Sequence, residues 1–221
     1  MGLFDDNGYE ILENLISEQQ SDLLLDLLTQ EKMPVLKAGI RHIDKWIPEV
    51  SKLAYSANIL SLIKQYLNNT PNLVRAIYFD KSIENNWYVT WHQDKTVAVS
   101  KKFDLPDWQP WSIKSGIWHV QPPLNVLEQM VTVRIHLDTA NKQNGCLKLI
   151  PKSHLLGLLP TESIEHYICS DIMYCEVEKG GAVIMRPHIL HASEKSLNDL
   201  PRRILHFEYS SFQLPKGIEW G

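Results

Sequence analysis

Cysteine is scarce in this sequence. Three occur in 221 residues, at Cys146, Cys169 and Cys175, an odd number with no C-x-x-C pair. That pattern argues against a disulfide framework or a structural zinc site and fits reduced thiols in the cytoplasm. No apolar run is long enough to span a bilayer. The N-terminus, Met1-Gly2-Leu3-Phe4-Asp5-Asp6, has no basic stretch of the kind that opens a secretory signal. Asp6 stands where a myristoylation site needs Ser or Thr. Clustered basic charge is missing too. The net charge is −4, and nucleic-acid binding would need a concentrated Lys/Arg surface. The expectation is therefore a cytoplasmic protein with neither a membrane nor a nucleic-acid partner; oligomeric state is not legible.

What is present resembles an ordinary soluble domain, with 44% apolar and 22% charged residues. The length suits a single domain over residues 1–221. Residues 1–70 read as helical. Ser17 and Gln20 fit a capping box, and Leu23, Leu24, Leu27 and Leu28 form a stripe at helical spacing that Pro34 ends. A second helix follows Pro48, with Val50, Leu53 and Ala54 on one face. A third starts at Ser56 and carries Ile59, Leu60, Ile63 and Leu67. Beyond Pro71 the pattern turns to short strands: 73–79, 87–92, 96–100, 117–120, 130–137, 146–150, 173–177, 182–185 and 203–209. Glu178-Lys179-Gly180-Gly181 reads as a hairpin turn, and residues 101–116 as a loop. Regular short strands without a repeat suggest an antiparallel sandwich or jelly roll over 71–210, with the helices covering one sheet and 211–221 as a tail.

The chemistry centres on Trp91-His92-Gln93-Asp94. Strand side chains alternate faces, so Tyr88, Thr90, His92 and Asp94 are expected on one face. An imidazole and a carboxylate two positions apart are two metal ligands; a third must come from elsewhere. His188 and His191, in Arg186-Pro187-His188-Ile189-Leu190-His191-Ala192-Ser193, both qualify. Two His and one carboxylate with open positions are the ligand set of non-haem Fe(II) oxygenases.

Five segments in order resemble the phytanoyl-CoA dioxygenase family of Fe(II)/2-oxoglutarate oxygenases. They are Trp91–Asp94, Thr132–Asp138, Asn144–His154, His191-Ala192-Ser193 and Pro201-Arg202-Arg203. The resemblance spans residues 73–210 and implies a mainly-β, double-stranded β-helix (cupin-like jelly-roll) core. It implies His92, Asp94 and His191 as iron ligands, and Arg202 as the anchor of 2-oxoglutarate with Arg203 as its rival. Ser193 and Gln93 resemble further cosubstrate contacts. The guanidinium fork suits a carboxylate. The reaction implied is hydroxylation of an unidentified small molecule by O₂, with release of succinate and CO₂. Halogenating relatives lack the carboxylate that Asp94 supplies here. One departure is Lys152, where the family usually has Gly; if that position needs positive φ, Lys is strained there.

Other residues carry weaker signals. Arg134 and His136 lie on the polar face of an alternating strand, which either lines the barrel or faces solvent. His154 reads as a turn-fixing side chain, and His42, His119, His166 and His206 receive no role. Trp91, Trp108 and Trp111 are candidate pocket walls, with residues 101–118 as a lid over the metal. Two other classes of function remain: a metal- or dicarboxylate-binding jelly-roll sensor without turnover, and a zinc-dependent cupin-like hydrolase.

Overall fold

A computed structural model describes residues 3–30, 39–82, 85–168 and 171–221. Pro34 and Cys169 lie outside the described residues. The chain opens with α1 (Leu3–Asn7), β1 (Tyr9–Leu12) and α2 (Glu18–Gln30). The capping box is present: Gln20 N donates to Ser17 Oγ at 3.1 Å and Ser17 N to Gln20 Oε1 at 3.0 Å. The buried face of α2 is offset from the expected stripe. Leu24, Leu25 and Leu28 are buried, whereas Leu23 is 55% exposed. Next come β2 (Ile40–Arg41), α3 (Ile43–Trp46), α4 (Pro48–Ala54) and α5 (Ala57–Ile63). Pro48 occupies the first turn of α4, where its missing N–H costs nothing. Ser56 caps α5 by accepting from Ile59 N at 3.4 Å.

The β region comprises β3 (Asn72–Lys81), β4 (Val89–His92), β5 (Val97–Val99), β6 (Trp111–Lys114), β7 (Ile117–Val120), the short α6 (Leu124–Leu127), β8 (Met130–His136), β9 (Leu147–Leu149), β10 (Met173–Cys175), β11 (Ala182–Met185), β12 (His191–Ser193) and β13 (Arg202–Ser210). Among the described residues these form a six-stranded sheet in the order β1-β11-β8-β13-β3-β2. A four-stranded sheet, β10-β9-β12-β4, and a three-stranded one, β5-β7-β6, complete the set. The first two are the faces of a jelly roll.

Alternation on β8 decides what each face of the large sheet does. Val131, Val133, Ile135 and Leu137 pack outward with Leu205, Phe207 and Tyr209 against Leu24, Leu28, Val50, Ile59 and Ile63 of the helices. Each such side chain contributes about 1.5–3 kcal/mol by leaving water. Tyr209 Oη donates to Ala54 O at 2.7 Å, fastening the end of α4 to the sheet. The polar face, with Thr132, Arg134 and His136, is thereby turned into the barrel, and all three side chains are buried.

Two expected connections differ. Residues 178–181 do not join a hairpin: β10 pairs with β9, and β11 pairs with β8 and β1, so the turn carries the chain from one sheet to the other. Residues 101–116 are not all loop. Trp111–Lys114 is a strand paired with Ile117–Val120. Ser115 and Gly116, at φ 51° and 78°, make the tight turn between them.

Lys152 adopts φ 67°, the left-handed region that favours glycine. Its N–H donates to Asn7 O at 2.9 Å, and His154 Nε2 donates to Asp5 O at 3.0 Å, so this turn pins the N-terminal segment. Relief of the Cβ clash outweighs glycine's greater freedom in the unfolded chain. Lys152→Gly is therefore expected to stabilise the protein by about 0.5–1 kcal/mol. Urea denaturation checks this; an unchanged or lower midpoint would contradict it.

Candidate metal centre

Strand register assembles the site. β12 lies between β9 and β4, and His191 sits directly opposite His92. Their rings approach to 4.2 Å between centroids. Just past β4, Asp94 N donates to Pro187 O at 2.9 Å, which sets its carboxylate between the two rings. His92 Nε2 is 3.9 Å from Asp94 Oδ1, and His191 Nε2 is 3.5 Å from Asp94 Oδ2. One donor atom from each residue lies within 4.8 Å of the others. His92 Nδ1 is 2.8 Å from Thr90 O and His191 Nδ1 is 2.9 Å from Ile189 O. Carbonyls only accept, so each Nδ1 carries the proton and each Nε2 lone pair faces the shared space.

The electrostatics suit a cation. Burial, then His92, pushes the His191 pKa down to about 3, so its ring is a neutral donor. Burial works to raise the Asp94 pKa, but His191, His92, His206 and Arg75 together hold it below the usual carboxylate range.

Strict alternation along β4 breaks here. Pairing with β12 shifts register between His92 and Val89, so Trp87 and Val89 share the cavity with His92 and Asp94. Tyr88 and Thr90, expected on that face, are exposed. His188 sits in a different cavity, beside His154 and Arg186.

Inside the barrel the metal cavity is walled by Phe79, Arg134, Leu147, Ala192 and Arg202. Its volume is about 120 Å³. Arg202 is 3% exposed, and its Nε and Nη1 have no partner among the described residues. Burial, then Arg134, lowers its pKa to about 9. Arg203 is already used: Nε and Nη2 grip Asp138 at 2.7 and 2.8 Å. Ser193 lines the cavity beside Lys81, a residue the sequence did not single out. Lys81 is fully buried and donates to Ser193 Oγ at 3.1 Å and Glu194 O at 2.6 Å. Burial, then Arg202 and Arg134, brings its pKa to about 7.

A second unforeseen group lies under Asp94. Arg134 Nη1 donates to His206 Nδ1 at 2.7 Å, and His206 Nε2 donates to Glu208 Oε1 at 3.1 Å. Glu208 is also gripped by Arg75, through Nε at 3.1 Å and through Nη2. The signal was available: period two along 203–209 puts His206 and Glu208 on the face of Arg202.

Four expected site residues fall elsewhere. Gln93 Nε2 donates to Gly157 O and His188 O, both at 2.7 Å, and its Oε1 accepts from Leu159 N at 2.9 Å. Its amide braces loops behind the site instead of meeting cosubstrate. Trp91, one position from His92, points to the other face, packing near Ile150, Leu159, Ile164 and Leu190. Trp108 is 5% exposed within an apolar cluster with Val97, Val99 and Val120. Trp111 meets Phe103 and Trp118 edge-on. Residues 111–120 are thus a packed hairpin whose tryptophans turn away from the metal set, not a lid that presents them to it.

Two outcomes follow. Glu208→Gln leaves Arg75 buried without its counter-charge and is expected to cost about 3–5 kcal/mol in denaturant titration; a loss under 1 kcal/mol would contradict the pairing. His42, His119 and His188 are buried, chiefly for that reason with pKa values near 4 against an ordinary 6.5. The unfolded chain takes up these protons first as pH falls. Stability of the metal-free protein should therefore drop from about pH 6.5 towards pH 4, by up to ~1.4 kcal/mol per unit for each group. A flat denaturation midpoint between pH 7 and pH 5 would contradict this.

Comparison with known proteins agrees with the geometry. The sequence profile of the phytanoyl-CoA dioxygenase (PhyH) family matches residues 4–204. Phytanoyl-CoA dioxygenase 1 of Oryza sativa subsp. japonica is 25% identical over 184 residues, covering 78% of this chain and 56% of that protein. Phytanoyl-CoA dioxygenase domain-containing protein 1 of Danio rerio is 23% identical, covering 93% of this chain and 62% of its own length. The chain thus spans somewhat over half the length of these relatives. Among solved structures, HygX from Streptomyces hygroscopicus with nickel and 2-oxoglutarate bound superposes with a TM-score of 0.70 at 15% identity, covering 97% of this chain and 87% of that one. EctD from S. alaskensis gives a TM-score of 0.70 at 18% identity, covering 94% and 74%. Matched along most of its length, the chain belongs to the phytanoyl-CoA dioxygenase family.

Proposed function

We propose that the chain is an Fe(II)- and 2-oxoglutarate-dependent oxygenase that hydroxylates a small molecule, releasing succinate and CO₂. The observation that carries this reading is Arg202. A fully buried guanidinium with unpaired N–H groups is costly unless an anion joins it. It lines the same cavity as His92, Asp94 and His191. A molecule with a metal-chelating end and a distal carboxylate fits that separation of roles. Family membership, and a structural neighbour holding nickel and 2-oxoglutarate, support it.

On this reading His92 Nε2, Asp94 and His191 Nε2 hold iron. Bound iron and 2-oxoglutarate together supply the oxidising chemistry with O₂. Arg202 takes the distal carboxylate through parallel hydrogen bonds. Lys81 adds positive charge beside it and orients the Ser193 hydroxyl. Phe79, Leu147 and Ala192 keep water from the cavity. Asp94 occupies the position that a halide would need, which favours hydroxylation. A sensor without turnover would show the same binding but no O₂-dependent succinate.

Removing two charge-assisted hydrogen bonds is worth several kcal/mol. Arg202→Ala is therefore expected to weaken 2-oxoglutarate roughly a hundredfold in anaerobic calorimetry. Arg203→Ala should leave that affinity unchanged while lowering stability. His92→Ala should abolish O₂-dependent succinate formation. Near-normal succinate from His92→Ala, or equal affinity in Arg202→Ala, would overturn the assignment.

A further inference from the structure

The candidate ligands His92 and Asp94 flank a residue that faces away from the cavity. Side chains alternate along extended chain, so His92 and Asp94 point into the barrel and Gln93, between them, points to the reverse. Gln93 is 6% exposed and is no part of the cavity wall. Its amide is fully engaged on its donor side. Nε2 donates to Gly157 O and to His188 O, both at 2.7 Å, and Oε1 accepts from Leu159 N at 2.9 Å. An amide nitrogen has two N–H groups, and both are used. The next two residues repeat the pattern. Asp94 N donates to Pro187 O at 2.9 Å, and Lys95 Nζ donates to Leu159 O. Residues 93–95 are therefore fastened to two separate segments, 157–159 and 187–188.

The second of those segments leads directly to His191. Ile189 N donates to Arg186 O at 3.1 Å, and Leu190 N donates to Ser153 Oγ at 2.8 Å, so little slack remains between His188 and β12. His191 then stands opposite His92. The first segment lies in apolar surroundings: Leu159 belongs to a buried cluster with Ile150, Ile164 and Leu190, against which Trp91 packs. There a hydrogen bond is strengthened, and a carbonyl or N–H left unpaired is costly. The three partners also specify the side chain. Glutamate at this position lacks the donors, lysine and arginine lack the acceptor, and asparagine is one methylene shorter.

We propose that Gln93 is a positioning residue for the metal set, a clamp that fixes His92 and Asp94 relative to His191 before a metal is bound. The role rests on the reading of those three residues as ligands. One amide ties the chain between the first two ligands to the segment that delivers the third, so the three donor groups move as a unit. Removing the amide leaves two carbonyls and one N–H of buried chain unpaired. The segments at 157–159 and 187–188 then lose their common attachment to residue 93, and the spacing of the donors is no longer held. The effect falls on metal affinity and coordination geometry. Arg202 stands on β13 in the other sheet and is not part of this unit.

The test uses Co(II), whose visible bands report coordination geometry and whose binding needs neither O₂ nor 2-oxoglutarate. It is titrated into the metal-free full chain of the wild type, Gln93→Met, Gln93→Glu and His92→Ala. Tyr209→Phe, which removes a buried hydrogen bond on the outer face of the large sheet, measures a purely structural loss. Both Gln93 variants should bind Co(II) roughly tenfold to a hundredfold more weakly, the range for groups that orient ligands without touching the metal, and with an altered band pattern. Tyr209→Phe should melt earlier with affinity and bands unchanged. Wild-type affinity and bands in both Gln93 variants, with binding lost in His92→Ala, would overturn the positioning role alone. Equal binding by His92→Ala and the wild type would overturn the ligand assignment and the role with it. Amide exchange in the metal-free wild type gives a reading that needs no variant: the N–H groups of Leu159 and Asp94 are expected to be protected, and exchange as fast as in an exposed loop would show that the clamp is not formed before the metal binds.

Discussion

Three arginines, Arg75, Arg134 and Arg202, are buried inside the barrel, and the arrangement of the site depends on how each is neutralised. A charge removed from water must find a partner or a ligand. Arg75 has Glu208. Arg134 is hydrogen-bonded to His206, which leans on the same carboxylate, and its guanidinium lies 5.4 Å from the Phe79 ring centroid. Among the described residues, Arg202 alone of the three keeps open donors on two nitrogens. The proposed function uses this unequal solution: two arginines build a floor under Asp94, and the third is left open to take an anion.

That floor exists because the large sheet has two unlike faces. Its outer face is Val, Ile, Leu, Phe and Tyr, covered by the N-terminal helices, so the large apolar core of the sheet is built outside the barrel. The interior is thus free to be polar. β13 is the central carrier, since one strand places Arg202, His206 and Glu208 along the cavity in register with Lys81, Ile77 and Arg75 of β3. The small sheet contributes the candidate metal ligands from its opposite wall, with His191 held across from His92. A one-residue slip of β13 would exchange Arg202 for Arg203 and empty the interior of its charges.

Much of this was legible in the sequence. The capping box at Ser17, the caps at Pro48 and Ser56, and the alternation of 130–137 are local patterns, and the structure contains them. His92 and Asp94 were reachable from strand alternation, whereas the choice of His191 and Arg202 came from the resemblance of their segments to a known family. Spacing alone left His188 against His191 and Arg202 against Arg203. The structure separates both pairs in physical terms: His188 faces another cavity, and Arg203 is engaged by Asp138. Other features needed tertiary information. The register shift between β4 and β12 moved Val89 into the cavity and Thr90 out of it. Gln93 resembled a cosubstrate contact, and its amide satisfies three backbone groups. Trp108 and Trp111 are core because the hairpin at Ser115-Gly116 closes a third sheet. Lys81 was hidden at the end of a strand, where a lysine ordinarily reaches solvent.

The central claim is that one cavity holds Fe(II) on His92, Asp94 and His191 and 2-oxoglutarate on Arg202. The most direct measurement is the anaerobic visible spectrum of metal-free protein given Fe(II) and then 2-oxoglutarate. The account predicts a charge-transfer band from the chelate that is absent in His92→Ala and that in Arg202→Ala needs far more 2-oxoglutarate. Iron bound at the site with no band at saturating 2-oxoglutarate would contradict it.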